Sequence, residues 1–233
     1  MNIFKKKKEV YENAWDKYYD KDKRNISIPN ISIYDYFERT TINHEYDSAI
    51  NYFGEKTSYI ELISKIDLCA KALASIGIRE NDVVTICLPN VPEAIISFYA
   101  VNKIGAIASM LHPLSSEEEI KDSLIKTKSV CLFLHNASYE KVENIIDSTK
   151  VYKTILISPR DSMPSLLGLG YLLTKDLKVK IPKNTEKFMY WYNFLEKGNL
   201  YNKDVFIRRT KENDAVILHS GGTTGTPFNK WKY

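Results

Sequence analysis

Ser220-Gly221-Gly222-Thr223-Thr224-Gly225-Thr226-Pro227, close to the carboxyl end of the chain, follows the apolar run Ala215-Val216-Ile217-Leu218. A short uninterrupted run of this kind reads as a buried strand. Gly221, Gly222 and Gly225 allow positive φ and let backbone approach a bulky anion. Successive N–H groups in such a loop can converge on phosphate oxygens, and the hydroxyls of Ser220, Thr223, Thr224 and Thr226 add neutral donors. Chemically the segment is a cradle for a polyphosphate; taken by itself, it also suits an ordinary hairpin turn. A Walker A loop requires Lys after its last glycine, but Gly225 is followed by Thr226 and Pro227. The dinucleotide fingerprint Gly-x-Gly-x-x-Gly is excluded by the spacing and by Pro227.

Upstream, the pattern is one of alternating strands and helices. Ser58-Tyr59-Ile60-Glu61 is a capping box, and Leu62, Ile63, Ile66, Ala70 and Leu73 continue one helical face to a stop at Gly77. Val83 to Leu88 is a β-branched strand. A helix follows with Asn90 as N-cap, Pro92 in its first turn, and Ile95, Phe98, Tyr99, Val101 and Ile104 on its buried side. Ala106 to Leu111 reads as a strand. Ser116 to Glu119 is a second capping box, opening a helix through Ile120, Leu124 and Ile125. Val130 to Leu134 is a strand, Ala137 to Ser148 a helix and Thr154 to Ile157 a strand. This alternation predicts an α/β domain with a mostly parallel sheet layered with helices on both faces.

The flanking regions are less regular. Residues 1–30 place Tyr11, Trp15, Tyr18 and Tyr19 at helical spacing, predicting a lead helix on the main body, and Ile31 to Tyr52 predicts a second helix. Pro159, Pro164 and Pro182 with Gly168 and Gly170 predict a loop-rich connection, and Glu186 to Glu196 a helix with an aromatic face. The division expected is a helical lead segment over 1–50 and a partial nucleotide-binding domain over 51–233.

Leu88-Pro89-Asn90-Val91-Pro92-Glu93, followed by Phe98-Tyr99-Ala100 and Lys103-Ile104-Gly105-Ala106, resembles the early signature of the AMP-binding, or adenylate-forming, superfamily. So do Leu73 to Gly77 and His112-Pro113-Leu114. Ser220 to Pro227 matches eight consecutive positions of that superfamily's phosphate loop, Ser/Thr-Ser/Gly-Gly-Thr-Thr-Gly-x-Pro-Lys-Gly. The next two positions depart from it, since Phe228 and Asn229 replace its Lys and Gly. The resemblance spans about Asn51 to Pro227, and it implies the N-terminal part of the adenylate-forming ligase fold, of the acyl-CoA synthetase branch.

The resemblance implies an ATP-dependent reaction in which a carboxylate attacks the α-phosphorus of ATP, giving an acyl-adenylate and pyrophosphate, after which coenzyme A takes the acyl group. Ser220, Gly221, Gly222, Thr223, Thr224, Gly225 and Thr226 would grip the ATP phosphates, with Mg²⁺ sharing the charge. Family motifs downstream of the loop, including the adenine-binding segment and the C-terminal lysine, have no counterpart in this sequence. No residue is therefore assigned a catalytic or metal-ligating role, and the chain is expected to be inactive alone. The substrates implied are a small carboxylic acid, ATP and CoA. Two other readings stay open: one half of a split ligase completed by a second chain, and a non-catalytic nucleotide-binding or interaction module.

Composition narrows the partners. A net charge of +4 spread over 233 residues does not suggest nucleic-acid binding. Cys69, Cys87 and Cys131 lie far apart in apolar stretches, predicting buried free thiols in a reducing compartment; with no signal peptide, the chain reads as cytoplasmic. His44, His112, His135 and His219 make no zinc spacing. Ala94 to Leu111 is largely apolar, but Asn102-Lys103 and Gly105 divide it into a helix and a strand, so no transmembrane segment is expected. Lys5 to Lys8 reads as a solvated terminus, with contact to anionic lipid as the alternative.

Overall fold

The computed structural model of the chain describes residues 14–20, 23, 27–180, 182 and 186–219. Helix α1 (Ile33–Thr40) leads into an antiparallel hairpin of β1 (Ser48–Tyr52) and β2 (Glu55–Ser58). Phe53 and Gly54 both have positive φ, which matches the tight turn to the strand twist. The body then follows as α2 (Tyr59–Ser75), β3 (Val83–Cys87), α3 (Pro92–Lys103), β4 (Ile107–Met110), α4 (Glu117–Thr127), β5 (Cys131–His135) and α5 (Tyr139–Glu143). It continues through β6 (Lys153–Ile157), α6 (Ser165–Thr174), β7 (Phe188–Tyr190), α7 (Trp191–Asn199) and β8 (Val216–Leu218).

Six strands form one sheet in the order β7-β6-β5-β3-β4-β8, and every pairing is parallel. The expected mostly parallel, helix-layered sheet is thus present. Both of its faces are covered, which explains why the strands read as continuous apolar runs. Val84, Ile86, Phe133, Ile155 and Ile157 face a core shared with α2, α3 and α7. Leu132, Leu134 and Leu156 alternate to the other face, against Ile120, Leu124, Tyr139 and Val142. Where α7 crosses α2, a Cβ on Gly198 would lie 2.4 Å from the Leu68 carbonyl oxygen, so only glycine permits that approach. Cys69, Cys87 and Cys131 are free and buried, as the sequence predicts.

Both capping boxes form. Ser58 Oγ accepts from Glu61 N at 3.4 Å while Glu61 Oε2 accepts from Ser58 N at 2.7 Å; Ser116 and Glu119 do the same at 3.2 and 2.8 Å. Gly77 (φ +94°) ends α2 as expected.

Other expectations are corrected. Asn90 does not cap α3. Proline excludes the helical region for the residue before it, so Val91 is extended and the helix begins at Pro92. Of the expected buried side of α3, Val101 and Ile104 are buried and Phe98 and Tyr99 pack against the core, whereas Ile95 is exposed and Ile96 and Ala100 are buried instead. The expected helix over 31–52 is confined to α1, because Asn43 turns left-handed and the chain enters the hairpin. In the described part of 1–30, Asp16–Tyr18 is a 3-10 turn with Trp15, Tyr18 and Tyr19 exposed, not a docked amphipathic helix; Tyr11 lies outside the described residues. Ala137 to Ser148 breaks into 3-10 turns around the short α5. The segment 186–196 begins as strand β7, whose Phe188 packs edge-on to Tyr139 at 5.0 Å. Within the supposed loop over 158–200, α6 forms despite Gly168 and Gly170. No described helix is long and apolar enough to cross a membrane.

Candidate functional site

The sheet order places β3 between β4 and β5, so successive connections leave the first central strand in opposite directions. In such sheets ligands sit outside the carboxyl ends of the strands near that reversal. Ser220, Gly221, Gly222, Thr223, Thr224, Gly225 and Thr226 lie outside the described residues, as does Pro227. Their approach is described in full. Strand β8 pairs with β4 in parallel, Val216 opposite Ala108 and Leu218 opposite Met110, and so runs toward the carboxyl edge. Beyond it, His219 Nε2 lies 3.2 Å from Ser109 Oγ on β4 and 3.3 Å from Ser123 Oγ on α4. Burial holds the His219 pKa below its ordinary value, favouring the neutral ring at that contact.

The start of β8 is pinned from the opposite end of the sheet. Arg209 Nη1 donates to Gly105 O at 2.7 Å, Asn81 Oδ1 at 2.9 Å and Glu80 Oε1 at 3.1 Å, and Nη2 to Asp214 O at 3.4 Å. One buried guanidinium thus ties the segment before β8 to the turns that precede β3 and β4.

At the carboxyl edge, residues that follow three other strands gather polar groups. Glu93, beyond β3 in the first turn of α3, is 1% exposed. Its Oε1 accepts from Ser162 Oγ, Oε2 has no hydrogen-bond partner, and burial pushes its pKa up to about 7. Beyond β5, Asn136 Nδ2 donates to Asp176 Oδ1 at 2.9 Å. Beyond β6, Ser158 Oγ donates to Asp176 Oδ2 at 2.8 Å, and Arg160 Nε lies 3.1 Å from the same oxygen. His135 Nε2 and Asn136 Oδ1 are buried without a hydrogen-bond partner. Burial lowers the His135 pKa, with Asp176 opposing. A cavity of about 300 Å³ opens between Asn136, Ser158, Arg160 and Asp176 on one side and Tyr190 and Trp191 on the other.

The sequence singles out the loop but misses this polar cluster. Asp176 and Arg160 fall in a stretch that reads as loop, and Glu93 reads only as a helix-start residue. No spacing in one dimension brings residues 136, 160 and 176 together, or sets Ser162 against Glu93. Among the described residues no group of three His, Cys, Asp or Glu is placed to hold a metal ion.

A family model described as "AMP-binding enzyme" matches residues 37–227. The chain is 24% identical over 203 residues to a long-chain-fatty-acid–CoA ligase of Bacillus subtilis, covering 87% of this chain and 36% of that protein. It is 25% identical over 174 residues to an acetyl-coenzyme A synthetase of Penicillium chrysogenum, covering 75% and 25%. Among solved structures, the anthranilate CoA ligase AuaEII in complex with anthranoyl-AMP superposes with a TM-score of 0.68 at 16% identity, over 86% of this chain and 34% of that one. The chain therefore spans about a quarter to a third of the length of these proteins.

Proposed function

Because the chain belongs to the AMP-binding enzyme family, matched over residues 37–227, we propose that it forms the phosphate-loop part of an ATP-dependent carboxylic acid–CoA ligase. The observation that supports this reading is the course of β8, which runs parallel to β4 toward the carboxyl edge and is followed in the sequence by His219 and then Ser220. In the first half-reaction a carboxylate oxygen bonds to the α-phosphorus of ATP and pyrophosphate leaves, giving the acyl-adenylate. In the second, the CoA sulfur bonds to the acyl carbon, AMP leaves and the thiol proton is released.

The part of this chain is to bind and orient. Backbone N–H groups and hydroxyls of Ser220–Thr226 hold the β- and γ-phosphates and line up the departing pyrophosphate. Arg209 and His219 set where β8 begins and ends, and so where the loop starts. ATP enters as its Mg²⁺ complex, the metal carried by the nucleotide. The acyl pocket and the later catalytic groups come from residues beyond these 233, in the same polypeptide or in a complementing chain. The isolated 233 residues accordingly bind ATP but do not form acyl-adenylate. Carboxylate-dependent exchange of labelled pyrophosphate into ATP tests this, with no exchange expected. Exchange by these residues alone contradicts the division of labour, and failure to bind ATP contradicts the nucleotide reading.

A further inference from the structure

A second cavity, of about 350 Å³, opens at the opposite end of the sheet. Ala106 and Ala215, which immediately precede β4 and β8, line it, with Ile28 and Ile31 from the segment leading into α1 and Tyr36 from α1 itself adding apolar wall. Ile28 is 64% exposed and Tyr36 55%, so this wall leaves much apolar surface in water. The charged side chains around it are not equivalent. Arg209 and Asp214 are engaged within the protein, whereas Lys211 has no partner among the described residues. The cavity thus has apolar walls and one uncommitted cation, with the polar groups of Thr210 and Asn213 tied to each other by a bond of Thr210 N to Asn213 Oδ1 at 2.9 Å.

The geometry points to a ligand site for a medium-chain carboxylate, its hydrocarbon chain between Ile28, Tyr36 and Ala215 and its head group at Lys211. Decanoate, with one carboxylate and an unbranched hydrocarbon chain, has the chemistry of this lining and serves as the probe. The cavity's volume lies at the small end of the range for small-molecule pockets, about 300–1,000 Å³. The site lies at the amino end of the sheet and does not depend on the ligase reading. It shares a wall with the start of β8 and with Arg209, so occupancy braces the strand that leads into the loop.

Titration calorimetry of the 233-residue chain with decanoate and with decanol tests the site. Saturable decanoate binding is expected, with decanol about tenfold weaker because it lacks the charge for Lys211. Lys211→Glu and, separately, Ile28→Asp each weaken decanoate about tenfold and leave the circular dichroism spectrum unchanged; both positions lie at the surface, so folding is not at stake. No saturable binding overturns the proposal, as does equal binding by decanol together with indifference to both substitutions. Binding that appears only after residues 1–13 are removed also overturns it, because the chain's own leader would then be the occupant. ATP binding measured on the same samples keeps this result separate from the nucleotide reading: decanoate can bind where ATP fails, and the reverse.

Discussion

The two ends of the parallel sheet handle polar groups in opposite ways. At the amino end, the buried guanidinium of Arg209 is held by three carbonyl or amide oxygens and the Glu80 carboxylate. At the carboxyl end, Glu93 Oε2, His135 Nε2 and Asn136 Oδ1 are buried with no hydrogen-bond partner. The division is not complete, since Thr154 Oγ1, near the start of β6 at the amino end, is buried in the same way. A buried polar atom left open costs free energy, so a fold retains it where it serves something other than stability. The same sheet thus has one end built to hold β8 in place and another where carboxylate, imidazole and amide remain available.

Breaking the amino end has the largest expected effect. Arg209→Met leaves the Gly105 and Asp214 carbonyls and the Glu80 carboxylate without their cation and lowers stability by about 3 kcal/mol in urea denaturation. A loss below about 1 kcal/mol would show that β8 is held by its ladder with β4 and not by this pin.

Glu93→Gln sharpens the contrast from the other side. Burial raises the folded pKa of Glu93 from 4.5 to about 7, so the folded state binds this proton more tightly than the unfolded state. Its contribution is fully present below about pH 4.5 and is lost as pH rises through about 7, a trend opposite to that of most carboxylates. Asp67 runs the ordinary way, since hydrogen bonds from Lys71 and Lys103 outweigh its burial. The difference in stability between the parent chain and Glu93→Gln therefore isolates the Glu93 term. It is expected to change by on the order of 3 kcal/mol between pH 5 and pH 8, with the parent weakening as pH rises. A pH-independent difference would place Glu93 in contact with water.

Ser116→Ala, in the capping box that opens α4 beyond β4, has the smallest effect, about 1 kcal/mol in the same denaturation assay. A larger loss would mean that this cap also supports the carboxyl edge.

The parts of the fold legible in the sequence are those with local causes. Ser58 with Glu61, Ser116 with Glu119, Gly77 and the β-branched run from Val83 announce their structures within a few residues. Elements that depend on distant partners were not legible. Strand β7 exists because Phe188 and its neighbours pair with β6 and pack on Tyr139, and its sequence alone reads as part of the following helix. Helix α6 contains two glycines and follows two prolines, all of which signal a loop, yet Gly168 fits closely against Arg160. Asn90 does not cap α3 because the restriction that Pro92 places on Val91 outweighs the capping preference of asparagine. The same division applies to the site. The loop from Ser220 to Thr226 is a contiguous chemical pattern, whereas Asn136, Ser158, Arg160 and Asp176 meet only through the fold.

The most direct measurement is calorimetric binding of MgATP to this chain and to its Thr223→Ala/Thr224→Ala double variant. The account predicts that the parent binds and that the variant loses about tenfold or more in affinity with an unchanged melting temperature. Equal affinity in the two proteins would mean that the segment after β8 is a structural turn and that the phosphates, if held at all, are held elsewhere.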